Sequence, residues 1–151
     1  MRDGSRGFDY RSLAEFRYQI RRFLRFSEDA ARAAGIEPQQ HQLLLALKGL
    51  PEGERPSVRT LAERLQLHHH STVELVDRMA EAGLVERHRS EQDRREVLVS
   101  ATSKGERLLR ELTVHHQEEL RDSGRALAQA LQKLIAQPAR SSARKIRHTR
   151  N

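Results

Sequence analysis

Between Ser57 and Ala101 the spacing of apolar residues changes once, and this change constrains the fold more than any other feature of the chain. Val58, Leu61, Ala62 and Leu65 share one helical face, and Ser57 ahead of them has the side chain of a good N-cap. After only a few residues a second helical run begins, with Val73, Leu75, Val76, Met79 and Ala80, and it closes at Gly83. From Val85 to Arg89 the helical period gives way to loose alternation; a polar stretch from Ser90 to Arg95 follows, then Val97, Leu98 and Val99. The expected order is helix, tight turn, helix and a β-hairpin with a charged tip. Such a unit has a physical use: a helix N-terminus fits the major groove of DNA, and a β-tip can reach the neighbouring minor groove.

Helical patterns flank this unit on both sides. Leu13, Phe16, Ile20, Phe23 and Leu24 recur at three- and four-residue steps, which predicts an amphipathic helix ending near Gly35. Glu37-Pro38 restarts the chain, and Gln39 to Leu47 form a short helix stopped by Gly49 and Pro51. Thr102 caps a final stretch in which Leu108, Leu109, Leu112, Leu120, Leu127, Leu131, Leu134 and Ile135 keep helical spacing; Gly124 is expected to break it in two. The fold expected is mainly α with a small β-hairpin wing, a winged helix-turn-helix plus a helical dimerisation region. Its parts are a disordered N-terminus (1–7), N-terminal helices for dimerisation and support (8–55), a winged DNA-binding region (56–101), C-terminal dimerisation helices (102–137) and a disordered basic tail (138–151).

The net charge of +7 invites a nucleic-acid reading, yet its position weakens the argument. Residues 57–100 balance to −1, whereas the last fourteen residues hold five Lys and Arg and no acid. The case for DNA therefore rests on pattern. The absence of Cys excludes disulfides, thiolate metal sites and thiol redox sensing. No apolar run is long enough for a membrane span, and the N-terminus has no apolar signal region, so a cytoplasmic protein without membrane partners is expected.

Five blocks then carry a resemblance: Thr60-Leu-Ala-Glu-Arg-Leu-Gln-Leu67, Ser71-Thr-Val-Glu-Leu-Val-Asp-Arg-Met79, Gly83-Leu-Val-Glu-Arg87, Asp93-Arg-Arg95 and Thr102-Ser-Lys-Gly105. In this order they resemble the MarR family of bacterial transcriptional regulators. The resemblance spans roughly residues 10–136, by motif within 56–112 and by helix pattern outside it. It implies a recognition helix from about His69 to Ala82, with His69, His70, Ser71 and Thr72 as exposed base readers and Val73, Val76 and Met79 facing the core. Ser57 and Arg59 join the expected DNA-binding set, and Arg78 suits a phosphate or an intradomain pair. In the wing, Asp93 is expected to steady Arg95, which enters the minor groove, while Arg94 meets the backbone. The family further implies a homodimer on a pseudo-palindromic double-stranded operator, with half-sites about 34 Å apart, released by a small-molecule effector. The apolar stripes at the two ends of the chain support the dimer independently, because one small winged domain has little to bury them against.

Other chemistries find little support. His68, His69 and His70 look like metal ligands, but consecutive helical residues point about 100° apart and cannot converge on one ion. His115 and His116 with Glu118 and Glu119, and His41 elsewhere, form polar clusters that read first as solvated or interface surface. His70-Ser71 lacks an acid partner and an oxyanion feature, and no Gly-rich phosphate loop is present, so neither catalysis nor a cofactor is expected. The arginine stripe Arg17, Arg21, Arg22 and Arg25 reads as a solvated face. The main alternative is a winged-helix interaction or architectural module without effector response.

Overall fold

The carboxylate of Asp9 accepts the Ser12 amide at 2.9 Å and starts α1 (Tyr10–Ala33). The computed structural model describes residues 9–137, so the expectations for residues 1–7 and 138–151 lie outside the described residues. Just past α1, Gly35 takes φ +84°, a left-handed conformation that costs glycine nothing and reverses the chain. In α2 (Pro38–Lys48) the proline occupies the first turn, and the Gln40 side chain accepts the Glu37 amide at 3.0 Å. The Ser57 hydroxyl accepts the Thr60 amide at 3.1 Å and opens α3 (Val58–Leu65). This helix ends at Gln66, which adopts φ 54° and whose side-chain amide donates to the Glu63 carbonyl at 2.8 Å.

A tight turn leads into α4 (His69–Glu81), and Gly83 at φ 71° releases the chain into the hairpin. Strands β1 (Val85–Arg89) and β2 (Val97–Ala101) pair antiparallel, from Val85 opposite Ala101 to Arg89 opposite Val97. The segment before α3 adds a short third edge, where the Val99 amide donates to the Pro56 carbonyl at 2.8 Å and Ser57 bridges Leu98.

The last helix corrects one expectation. α5 (Ser103–Ile135) runs unbroken for 33 residues through Gly124. A glycine inside a helix costs about 1 kcal/mol against alanine, too little to interrupt a helix capped by Thr102 and packed against α1.

The core lies where α2, α3, α4, the hairpin and the first turns of α5 meet: Leu43, Leu44, Leu61, Leu75, Met79, Leu84, Val99 and Leu109 are buried there. Helix α1 lies along α5, and this pair carries most of the exposed large apolar side chains among the described residues. Tyr10, Leu13, Tyr18 and Leu24 on α1, with Leu120, Leu131 and Ile135 on α5, stay exposed in the single chain.

Candidate nucleic-acid interface

The first turn of α4 presents His69, His70 and Ser71 to solvent. His70 lies 3.2 Å from Glu74 one turn on, an exposed pair that leaves the imidazole at the surface. Thr72 departs from expectation: it is fully buried, and its hydroxyl donates to the His68 carbonyl at 3.1 Å. The reason is periodicity, because positions 72, 75, 76 and 79 form one helical stripe, with Thr72 joining Leu75, Val76 and Met79 on the core face. A hydroxyl can occupy such a position by bonding back to the carbonyl four residues earlier. Val73, expected in the core, is only half-buried beside this stripe.

Ser57 is corrected in the same way. It is buried, and its hydroxyl accepts the Thr60 amide and shares a 3.0 Å hydrogen bond with the Thr60 hydroxyl, so it holds the start of α3 at the edge of the cleft that Arg59 and Arg95 line. Its neighbour Arg59 does face solvent, with its side chain 86% exposed and 3.7 Å from Glu63. Arg78, the residue given two alternative roles, lies 3.7 Å from Glu37 at the start of α2.

In the wing, Asp93, Arg94 and Arg95 are exposed. The Asp93 carboxylate accepts the main-chain N–H of Arg95 at 2.9 Å, so it holds this arginine's backbone and leaves the guanidinium free to point outward. Arg59, His69, Asp93 and Arg95 line one open cleft of about 300 Å³, floored by Val58, Val73 and Val97. Residues more than thirty positions apart in sequence thus share one edge of the molecule: the first turns of α3 and α4 and the returning limb of the wing.

Three contacts at the base of the wing have no signal in the sequence. Arg55 donates to the Ser90 hydroxyl at 2.6 Å and sits 2.6 Å from the Glu96 carboxylate, while Arg87 of β1 forms an ion pair with Asp77 of α4. Arg55 stands in a turn-rich loop whose residue types are those of any solvated loop, and only the fold brings Ser90 to it.

The histidine cluster of α5 is divided. His115 is exposed and 3.9 Å from Glu118, whereas His116 turns inward. The Nδ1 of His116 lies 2.6 Å from the Leu112 carbonyl, which can only accept, so Nδ1–H donates there, and Nε2 shares a hydrogen bond with the Ser27 hydroxyl at 2.8 Å. Phe23 and Phe26 meet this ring edge-on, and the buried His41 lies beside it, tilted by 43° at 4.8 Å between centroids. Burial, and secondarily the neighbouring His116, push His41 down to a pKa of about 4. No group of His, Asp and Glu suited to a metal ion occurs among the described residues, and no helix there is long and apolar enough to cross a membrane.

Comparison with known proteins agrees with this geometry. Residues 34–96 match the model of the MarR family. Among solved structures, AbsC, a MarR family transcriptional regulator from Streptomyces coelicolor, superposes with a TM-score of 0.68 at 23% identity, covering 86% of this chain and 90% of that one. A MarR family protein from Bacillus stearothermophilus gives 0.65 at 27% identity, over 85% and 96% of the two chains. The transcriptional repressor CouR, bound to a 23-mer DNA duplex, gives 0.61 at 26% identity, over 80% and 85%. No curated protein sequence matches the chain.

Proposed function

We propose that this chain, whose residues 34–96 match the model of the MarR family, is a homodimeric, sequence-specific repressor released from its operator by a small-molecule effector. The observation that carries the reading is the shared edge on which Arg59, His69 and Arg95 line one cleft, with His70 and Ser71 exposed beside it. His69, His70 and Ser71 read base edges in the major groove, Arg95 enters the minor groove, and Arg59, Arg78 and Arg94 meet phosphates. Asp93 orders the wing by holding the Arg95 backbone.

The homodimer is supported by the apolar side chains that α1 and α5 leave uncovered; a two-fold contact through these helices buries them and sets two recognition helices about one DNA turn apart. A ligand that binds one spacing of those helices better than another releases the operator, since only differential affinity shifts such an equilibrium. The resemblance to CouR, itself bound to duplex DNA, supports the nucleic-acid partner.

Selection and sequencing of DNA fragments captured by the purified protein tests the reading, repeated with a panel of small aromatic acids and paired with sedimentation to count subunits. A two-fold-symmetric motif held by a dimer and lost with one of the acids is expected. Capture without sequence preference would instead favour an architectural module, and a monomer at micromolar concentration would remove the two-fold mechanism.

A further inference from the structure

We propose that Arg55 is a positioning residue for DNA reading: it anchors the base of the wing and thereby sets where Arg95 stands relative to the first turn of α4. This rests on the reading of the winged unit as a DNA-binding head. The wing tip has no apolar means of holding itself, because Glu91, Gln92, Asp93, Arg94 and Arg95 are all exposed. A two-stranded hairpin alone is marginal in water, so something outside it must hold it.

Ser90 and Glu96 are where the tip closes. The Ser90 amide donates to the Glu96 carbonyl and the Glu96 amide to the Asp93 carbonyl, each at 3.0 Å. The buried Ser90 hydroxyl also receives the Gln92 and Asp93 amides at 3.2 Å each, which makes it the pivot of the turn leading to Asp93. Arg55 reaches both ends of this loop at once: Nη2 donates to the Ser90 hydroxyl at 2.6 Å, and Nη1 stands 2.6 Å from the Glu96 carboxylate as an ion pair, with no hydrogen bond formed to that oxygen. A guanidinium fork can hold two partners in fixed geometry, which a single ammonium cannot.

What makes the anchor relevant to reading is the chain that follows it. Pro56 receives the Val99 amide, Ser57 bridges Leu98, and the Ser57 hydroxyl caps α3, which packs on α4. Within three residues the segment ties the wing, the sheet edge and the helix pair together. Arg95 inherits its position from this tie through Asp93.

The test uses the full-length protein and its variants Arg55→Ala, Arg55→Lys and Ser90→Ala, with amide hydrogen exchange of the free protein and hydroxyl-radical footprints on selected DNA. In Arg55→Ala the Ser90 and Glu96 amides should exchange faster while amides of α4 hold. The footprint should lose the minor-groove protection under the wing and keep the major-groove protection. Affinity should fall by roughly tenfold, and Arg55→Lys should restore only part of it. Placed on an Arg95→Ala background, Arg55→Ala should cost little more, since both changes remove the same contact. A further drop in the salt slope of about 1 on that background would instead make Arg55 a direct phosphate contact and overturn the proposal. Unchanged exchange at Ser90 and Glu96, or an intact wing footprint in Arg55→Ala, would overturn it as well. A parent protein that protects no fragment overturns the DNA reading and this inference with it, so the two failures are told apart by the parent lane.

Discussion

A Cβ placed on Gly105 would stand 2.2 Å from the carbonyl oxygen of Leu84. The first turn of α5 therefore lies directly against the backbone where α4 passes into β1. Thr102 and Lys104 sew the same corner: the Thr102 amide donates to the Leu84 carbonyl at 3.1 Å, its hydroxyl to Gly83 at 2.6 Å, and the Lys104 ammonium to Ala82 at 2.9 Å. This joint connects the winged unit to the long helix on which the proposed dimer depends.

Gly105→Ala should destabilise the protein by about 1–3 kcal/mol, because the obstructing atom is backbone and cannot swing aside as a flexible side chain can. Thermal or urea unfolding measures it. A variant as stable as the parent would mean that the helix can retreat from Leu84 without loss.

Gly124→Ala, in the same helix, should do the opposite and stabilise by about 0.5–1 kcal/mol. The added methyl meets only the Leu120 side chain, at 3.6 Å, an ordinary van der Waals contact. A loss of stability here would indicate that the glycine sits at a close contact between copies of the chain.

Stability should fall as pH drops from about 6.5 to about 4. His41 has its pKa depressed to about 4 in the folded chain by burial and by His116, while an unfolded histidine protonates near 6.5. Below that value the unfolded state binds the extra proton, so stability present above pH 6.5 is lost until the folded pKa is reached; the full difference is up to about 3 kcal/mol. Unfolding curves of parent and His41→Gln across pH 4–8 isolate the contribution. Parallel pH profiles for the two proteins would contradict it.

Ser71→Ala and Thr72→Ser should separate the two faces of α4. Ser71 is exposed, so its loss should leave stability within about 0.5 kcal/mol while changing base preference in the selected DNA. Thr72 is fully buried, so removing its methyl should cost about 1 kcal/mol of stability and leave base preference intact. The reverse pattern would restore Thr72 as a reader.

Arg95→Ala should weaken binding to the selected operator by about 1–3 kcal/mol and relax the preference for A·T pairs under the wing. Affinity titrations against operators varied at those positions check both effects. Equal affinity of variant and parent removes Arg95 from the interface.

Much of this molecule was readable from the chain because its punctuation is local. Ser57 and Thr102 cap helices by accepting an amide three residues on, and the break at Gly83 needs one positive φ; such interactions span a turn or less and leave their mark on residue order. The stripe at 72, 75, 76 and 79 was equally local, and Thr72 was misplaced because its hydroxyl suggested solvent where the period pointed to the core. Gly124 departs from expectation for a related reason: the propensity cost of one glycine is modest, and the packing of α5 on α1 overrides it. Whatever joins distant segments was decided by the tertiary structure alone. Arg55 finds Ser90 and Glu96, His41 finds His116, and Gly105 meets Leu84 only after the helices have packed, since hydrogen bonds and close contacts across tens of residues depend on where whole elements sit and leave no period in the sequence. The chain by itself determined a winged head between two helical ends; the packing of those parts determined which side chains are free to face DNA and which are spent in holding the head in place.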